Sequence, residues 1–328
     1  MPRVLLLTLT LLAGLAQAAP QTFSQSPLSL QTEQGTLHGS LLQPQSDQPL
    51  PVVLLIAGSG PTDRDGNNPD GHNDSLKRLA QALARHGIAS LRYDKRGVAA
   101  SRAATPDERD LSVERYVADA VAWGRLLKAD PHFDRLILIG HSEGALIASL
   151  AAPEAGAAGL VALAGSSRPI DQVLREQLSY RLPPDLLAQS NRLLDSLLAG
   201  QQTSEVAEPL QVLFRPSVQP YLISLFRHDP SAAFARLRIP ALIVQGSHDI
   251  QVGVADAQAL HAAKPDAELL LVEGMNHVLR IVPPELRAQL ASYDNPQLPL
   301  ARLAVEGIAG FIQRIGATPA SSNAQLGR

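Results

Sequence analysis

Leu136-Ile137-Leu138-Ile139-Gly140-His141-Ser142-Glu143-Gly144 is the stretch whose reading decides the fold. Four consecutive large apolar residues suit a strand buried on both faces. The residues from Glu143 to Ala152 read as a helix that begins directly after it. Between them stands G-x-S-x-G, the pattern of a nucleophile elbow, in the strand–turn–helix setting such an elbow requires. The turn is so tight that side chains two positions before and after the serine would collide, hence Gly140 and Gly144. Ser142 is thereby expected at a sheet edge, at the positive end of the following helix. The plain alternative is an ordinary strand–helix turn, and the rest of the chain decides between the two.

Outward from the elbow, strands and helices alternate. Pro51–Ala57, Ile88–Tyr93, Gly159–Ala164, Ala241–Gln245 and Ala267–Val272 read as strands. Leu76, Leu79, Ala80 and Leu83 repeat at helical spacing, with Asn73 or Asp74 as N-cap. Val113, Tyr116, Val117, Ala120 and Leu127 mark a second helix, Val254–Ala263 a third, and Leu300–Arg314 a last one. Ser26–Pro44 reads as a hairpin around Gln34-Gly35. This alternation predicts an α/β protein, a parallel sheet with helices on both faces. It breaks from about Ser167 to Pro230, where Leu186, Leu187, Leu193, Leu194, Leu197 and Leu198 form an apolar helical stripe opened by Pro183-Pro184. Helical pieces at Val173–Tyr180 and Gln219–Phe226 flank that stripe, so the block reads as a helical insertion.

A serine nucleophile needs a base and an acid that orients it. Past the strand Ala241–Gln245 comes Gly246-Ser247-His248-Asp249, and past the next strand Glu273-Gly274-Met275-Asn276-His277. An acid at one strand end and a histidine after the next follow the elbow in the expected order. Ser142, Asp249 and His277 are therefore the candidate catalytic residues. Taken singly, Asp249 could be a helix cap and His277 a loop residue. His72 is a weaker candidate base; His141 is expected to pack beside the sheet, and His248 to point away from Asp249. The oxyanion donors are expected to be the backbone N–H of Glu143 and, from Gly58-Ser59-Gly60-Pro61, that of Ser59, with Gly60 as runner-up. No phosphate-loop pattern is completed and no side-chain cluster has metal-ligand spacing, so no metal or cofactor is expected. The charged stretches Thr62–Asn67 and Arg92–Gly97 read as paired charges that brace adjacent loops.

The chain has 328 residues, 28 Lys and Arg against 31 Asp and Glu, 45% apolar residues and no cysteine. That balance argues against a nucleic-acid partner. The missing cysteine removes disulfides, thiolate metal sites and thiol nucleophiles. Met1-Pro2-Arg3, the apolar run Val4–Leu15 and Ala16-Gln17-Ala18 describe a secretory signal peptide cleaved after Ala18, too short to span a bilayer. A periplasmic or secreted location is therefore expected.

With G-S-G-P-x-D-R-D-G-N, Y-D-K-R-G and G-H-S-E-G in place, the chain resembles the α/β-hydrolase superfamily from about Leu28 to Arg314. Within it, the chain is most similar to exported bacterial carboxylesterases and serine aminopeptidase-like hydrolases. The resemblance implies an α/β-hydrolase fold: a mostly parallel eight-stranded sheet with the helical insertion as a lid over Ser142. It departs at Gly97-Val98-Ala99-Ala100-Ser101, where similar proteins often keep another glycine before the serine, and at Ala145, where a second glycine is common. The expected organisation is a signal peptide at 1–18, the core at 19–166 and 231–316, the lid at 167–230 and a flexible tail at 317–328. The expected activity is hydrolysis of small-molecule carboxylic esters with short to medium acyl or aryl groups. Aminopeptidase or thioesterase chemistry on the same residues is the alternative, and a non-catalytic binding module is a third reading. Oligomeric state is not legible.

Overall fold

The computed structural model describes residues 22–315, so the expected signal peptide and tail lie outside the described residues. Eight strands form one sheet: β1 (Phe23–Thr32), β2 (Gly35–Pro44), β3 (Leu50–Ile56), β4 (Ala89–Tyr93), β5 (Phe133–His141), β6 (Gly159–Leu163), β7 (Ala241–Gly246) and β8 (Glu268–Val272). Their spatial order is β1-β2-β4-β3-β5-β6-β7-β8. β1 and β2 form the hairpin and β2 meets β4 antiparallel; every later pairing is parallel.

The apolar runs are continuous because both sheet faces are covered. Val52, Leu54, Ile56, Leu136 and Leu138 face one core, while Val53, Leu55, Ile137 and Ile139 face the other. This is the two-residue period of a strand used on both sides. Helices α1 (Ser75–Ala84), α2 (Val113–Ala129) and α3 (Glu143–Ala155) divide accordingly: α1 packs Leu79 and Leu83 on the second face, and α2 and α3 cover the first. α3 continues through Pro153, beyond the expected Ala152, and ends at Gly156 in the left-handed region. Asp74 is the N-cap of α1, but its side chain turns elsewhere, and Asn73 Oδ1 accepts the Ser75 N–H at 3.0 Å.

Between β6 and β7 lie only helices: α4 (Ile170–Ser179), α5 (Pro184–Leu198), α6 (Gln211–Phe214), α7 (Gln219–Phe226) and α8 (Pro230–Ala235). The first four build a small core of their own from Leu178, Leu193, Leu194, Leu197, Phe214 and Phe226. Leu198, expected in the stripe, is instead 45% exposed at the end of α5. α8 returns to the main core through Ala233 and Phe234. After β7 come α9 (Val254–Ala263) and, past β8, α10 (Leu286–Ser292) and α11 (Arg302–Arg314). α11 covers the second sheet face with Ile308, Phe311 and Ile312. The parallel strands therefore all deliver their carboxyl ends to one edge, where open α/β sheets place their sites.

Candidate active site

Ser142 stands between β5 and α3 with φ 55° and ψ −123°, a conformation L-residues avoid. Such a backbone costs on the order of 1–3 kcal/mol and persists only where its surroundings enforce it. Here they do. A Cβ on Gly140 would lie 2.0 Å from the Gly144 carbonyl oxygen, and one on Gly144 would lie 2.3 Å from that of Ile56. The Ser142 N–H donates to the Leu163 carbonyl at 2.9 Å, fixing the turn to β6. Ser142 is half-buried at the N-terminus of α3.

Asp249 and His277 converge at the ends of β7 and β8. His277 Nδ1 lies 2.8 Å from Asp249 Oδ2, with side-chain exposures of 5% and 1%. An ionised carboxylate only accepts, so the Nδ1–H is the donor and Nε2 keeps its lone pair for a proton. Oδ2 also accepts from Gln245 Nε2 at 3.1 Å, while Oδ1 accepts the Gln251 and Val252 amides at 2.8 and 3.0 Å. Burial pushes the Asp249 carboxyl up. The adjacent His277 and the hydrogen bonds from His277, Val252 and Gln251 outweigh it and hold the group below the usual value. A Ser142–His277 hydrogen bond is not formed here; in unliganded sites such contacts are often long and tighten with substrate.

His141 does more than pack. Its Nε2 lies 2.8 Å from the His277 carbonyl oxygen, so Nε2 carries the proton. The two rings are 4.7 Å apart between centroids. Burial, reinforced by His277, pulls the His141 imidazole down to about 4. His141 therefore stays neutral and clamps the backbone of His277. No local sequence signal marks this role, nor that of Gln245, a buried strand residue whose Nε2 donates to Asp249 Oδ2. His248 is turned from Asp249 and meets the Val282 carbonyl at 2.7 Å. His72 is exposed and bound to Asp74 at 3.1 Å, away from the converging residues.

Gly58, at the end of β3, packs against the elbow: a Cβ there would lie 3.1 Å from Ser142 Cβ. Ser59 and Glu143 both border the cavity at Ser142. The loop is held by charged braces. Arg64 donates to Asp94 at 2.6 Å, Arg92 to Asp65, and Arg96 to Asp119 at 2.7 Å through Nε. Burial raises the Asp119 carboxyl, and Arg96 opposes the rise. The cavity itself measures about 210 Å³. Leu146 of α3, Ile170, Val173 and Leu174 of α4, and Leu225 of α7 give it an apolar wall; Arg168, Gln177 and Asp256 add polar groups. The insertion thus covers Ser142 from one side. A larger groove of about 470 Å³, between α2 and α3, contains none of the converging residues. Among the described residues, no cluster of three or more His, Asp or Glu could hold a metal ion, and no helix is long and apolar enough to cross a membrane.

A hydroxyl on a strained turn and a buried acid–imidazole pair, with Ser59 and Glu143 bordering the same covered cavity, are an arrangement suited to nucleophilic acyl transfer. Comparison with known proteins agrees with that chemistry. The chain is 29% identical over 264 residues to Esterase EstD of Thermotoga maritima, covering 79% of this chain but only 61% of the relative's length. Est1E of Butyrivibrio proteoclasticus, solved with ferulic acid, shares the fold at a TM-score of 0.56 and 16% identity over 85% of this chain and 95% of that one. An esterase of Pyrococcus furiosus does so at 0.56 and 17%, over 90% and 92%. The model of the family described as serine aminopeptidase, S33 matches residues 70–281, which include Ser142, Asp249 and His277. The chain belongs to this serine aminopeptidase S33 family of α/β-hydrolases.

Proposed function

We propose that this protein is an exported serine hydrolase that cleaves carboxylic esters with short acyl or aryl groups. The observation that carries the reading is the buried Asp249–His277 pair at the strand ends beside the Ser142 elbow. Ser142 Oγ attacks the ester carbonyl while its proton passes to His277 Nε2. Asp249 holds the imidazole in the required tautomer and steadies the imidazolium. The Ser59 and Glu143 amides receive the oxyanion. His277 returns the proton to the departing alcohol, then activates water to release the acid. A volume of about 210 Å³ lies below the roughly 300–1,000 Å³ of pockets for drug-sized ligands, which favours short acyl chains over medium ones. Export rests on the Val4–Leu15 run and the Ala16–Ala18 site.

The test is hydrolysis of p-nitrophenyl esters from acetate to decanoate by the mature protein beside Ser142→Ala. Activity lost in the variant and falling beyond short chains is expected; activity that survives in Ser142→Ala overturns the serine assignment. Cleavage next to a free amine is the second reading. It rests on Glu143 and Asp256, the two acidic residues of the cavity wall, which could meet a substrate ammonium. Faster turnover of aminoacyl p-nitroanilides than of any ester would favour it.

A further inference from the structure

Lys95 is an unusual residue to find where it is. It is 3% exposed and, among the described residues, forms no ion pair with a carboxylate. Its ammonium donates to two main-chain carbonyls, that of Gly58 and, at 2.8 Å, that of Gly60. The Tyr116 ring lies 5.3 Å from Nζ, within cation–π range. Burying an ammonium without a partner carboxylate is expensive unless its protons are well used. These protons are spent on the loop that carries Ser59.

The peptide bond gives that contact a direction. In a trans peptide the carbonyl of one residue and the N–H of the next point opposite ways, and the described chain has no cis bond. Lys95 holding the Gly58 oxygen therefore fixes the Ser59 N–H on the opposite side of the same plane. Ser59 borders the cavity and Lys95 does not. The Gly60 carbonyl, held by the same ammonium, belongs to a peptide whose nitrogen is Pro61 and has no N–H to aim. It serves to lock the far side of the turn. The Ser59 carbonyl, meanwhile, accepts from Thr62 Oγ1 at 2.8 Å, so each carbonyl from Gly58 to Gly60 is tied down. A positive charge on the Gly58 oxygen also polarises that peptide and strengthens its N–H as a donor.

We propose that Lys95 is a positioning residue for the oxyanion hole: it aims and polarises the Ser59 N–H by holding the Gly58 and Gly60 carbonyls. Lys95 touches no substrate, so it acts where charge develops and not where the ground state binds. The Asp-Lys-Arg run at the end of β4 then divides into two tasks: Asp94 and Arg96 brace the surrounding structure, and Lys95 tunes the site.

The proposal rests on the serine-hydrolase reading, and Lys95→Met tests it separately. That change keeps the length of the side chain and removes every donor. A trifluoromethyl ketone serves as oxyanion probe: Ser142 Oγ bonds its carbonyl carbon, the serine proton moves to His277, and the carbonyl pair becomes the oxyanion. Its Ki is read by protection of Ser142 from fluorophosphonate labelling, which needs no substrate. In folded Lys95→Met, kcat on p-nitrophenyl butyrate should fall about 10- to 100-fold, less than the roughly 100- to 1000-fold for losing an oxyanion donor outright, because the donor is mis-aimed and not removed. KM should stay within about threefold and the ketone Ki should rise in step with the loss in kcat. An unchanged Ki, or a rise in KM at constant kcat, overturns the proposal. If Lys95→Met does not fold, Lys95→Gln decides, since its neutral amide keeps donors without the charge and should lose about tenfold in both kcat and Ki. Wild-type protein that labels but cleaves no ester refutes the ester assignment alone, and the Ki ratio still judges Lys95. Wild-type protein that does not label refutes both.

Discussion

The elbow and the insertion border the same cavity but are built on opposite principles. At the elbow, backbone packs on backbone: Gly140 against Gly144, Gly144 against the Ile56 carbonyl, Gly58 against the His141 carbonyl. Nothing there can move by a few tenths of an ångström without shifting β3 or β5. The insertion has its own side-chain core, mainly leucine and phenylalanine, and meets the sheet domain through side chains as well: Leu225 and Tyr221 pack on the main core, and polar ties join them. Val113 N–H donates to Ser224 Oγ at 3.0 Å, Ser217 Oγ to Glu108 at 2.6 Å, and the Tyr221 hydroxyl to Glu143. The position of Ser142 is set by main-chain sterics, which tolerate little. Positions that shape the pocket are set by side chains, which can be exchanged.

The largest effect should come from breaking the first kind of packing. Gly144→Ala places a methyl 2.3 Å from the Ile56 oxygen, where only backbone could yield. We expect a loss of about 3 kcal/mol or more in urea unfolding, at or beyond the upper end of ordinary overpacking, together with lost ester hydrolysis. Gly200→Ala, after α5, meets no atom within 4 Å and carries only the strain of φ 76°. It should cost about 1–2 kcal/mol and leave activity intact. Equal losses for the two glycines would erase the contrast.

His141 yields the next effect, through pH. The folded protein keeps this imidazole neutral down to about 4, whereas the unfolded chain takes up the proton near 6.5, the ordinary value for histidine. Between those values the unfolded state binds more protons, so stability must fall as pH drops from about 6.5 to 4. A separation of that size corresponds to about 3 kcal/mol. Asp249 acts elsewhere: its lowered carboxyl stabilises the fold above 3.8 and gives that up only as pH falls further. His141→Gln keeps a donor for the His277 carbonyl without the titration. Its urea midpoint should therefore change less between pH 7 and 4.5 than that of the wild type, and an equal slope in both would refute the clamp.

The sequence made the main-chain part of this legible and the side-chain part opaque. Apolar runs such as Leu136–Ile139 and the glycine spacing around Ser142 report steric demands that few other residues satisfy, so strands, elbow and strand-end residues could be read in order. The bond from His141 to the His277 carbonyl spans 136 positions and has no local signature. The same holds for Lys95, whose partners lie 37 and 35 positions away. Ala99 shows a third case. It takes φ 43° within Gly97–Ser101, the stretch where similar proteins often keep another glycine before the serine, and only the structure shows which residue carries the strain. The start of α1 was legible but its cap chemistry was not: Asp74 is the N-cap as expected, yet in a left-handed conformation, while its carboxylate serves Asn67, His72 and Lys77.

The smallest expected effect sharpens the comparison most, because it lies on the seam between the two regions. Tyr221 of α7 is half-buried, and its hydroxyl donates to Glu143, the residue after Ser142. Burial and the nearby Glu143 carboxylate keep that phenol protonated far into alkaline pH, so the tie holds across the working range. Tyr116 packs edge-on against the same ring at 5.7 Å. Tyr221→Phe retains the ring contact and removes only the bond to a charged acceptor, worth about 1.5–3 kcal/mol at most in a site like this. If the insertion shapes the pocket and the elbow performs the chemistry, kcat on p-nitrophenyl acetate should stay within a few-fold. KM should move for longer esters, whose chains reach Ile170, Val173 and Leu174. A fall in kcat shared equally by all chain lengths would instead place Tyr221 in the positioning of Glu143 and its N–H, and the seam would belong to the catalytic edge.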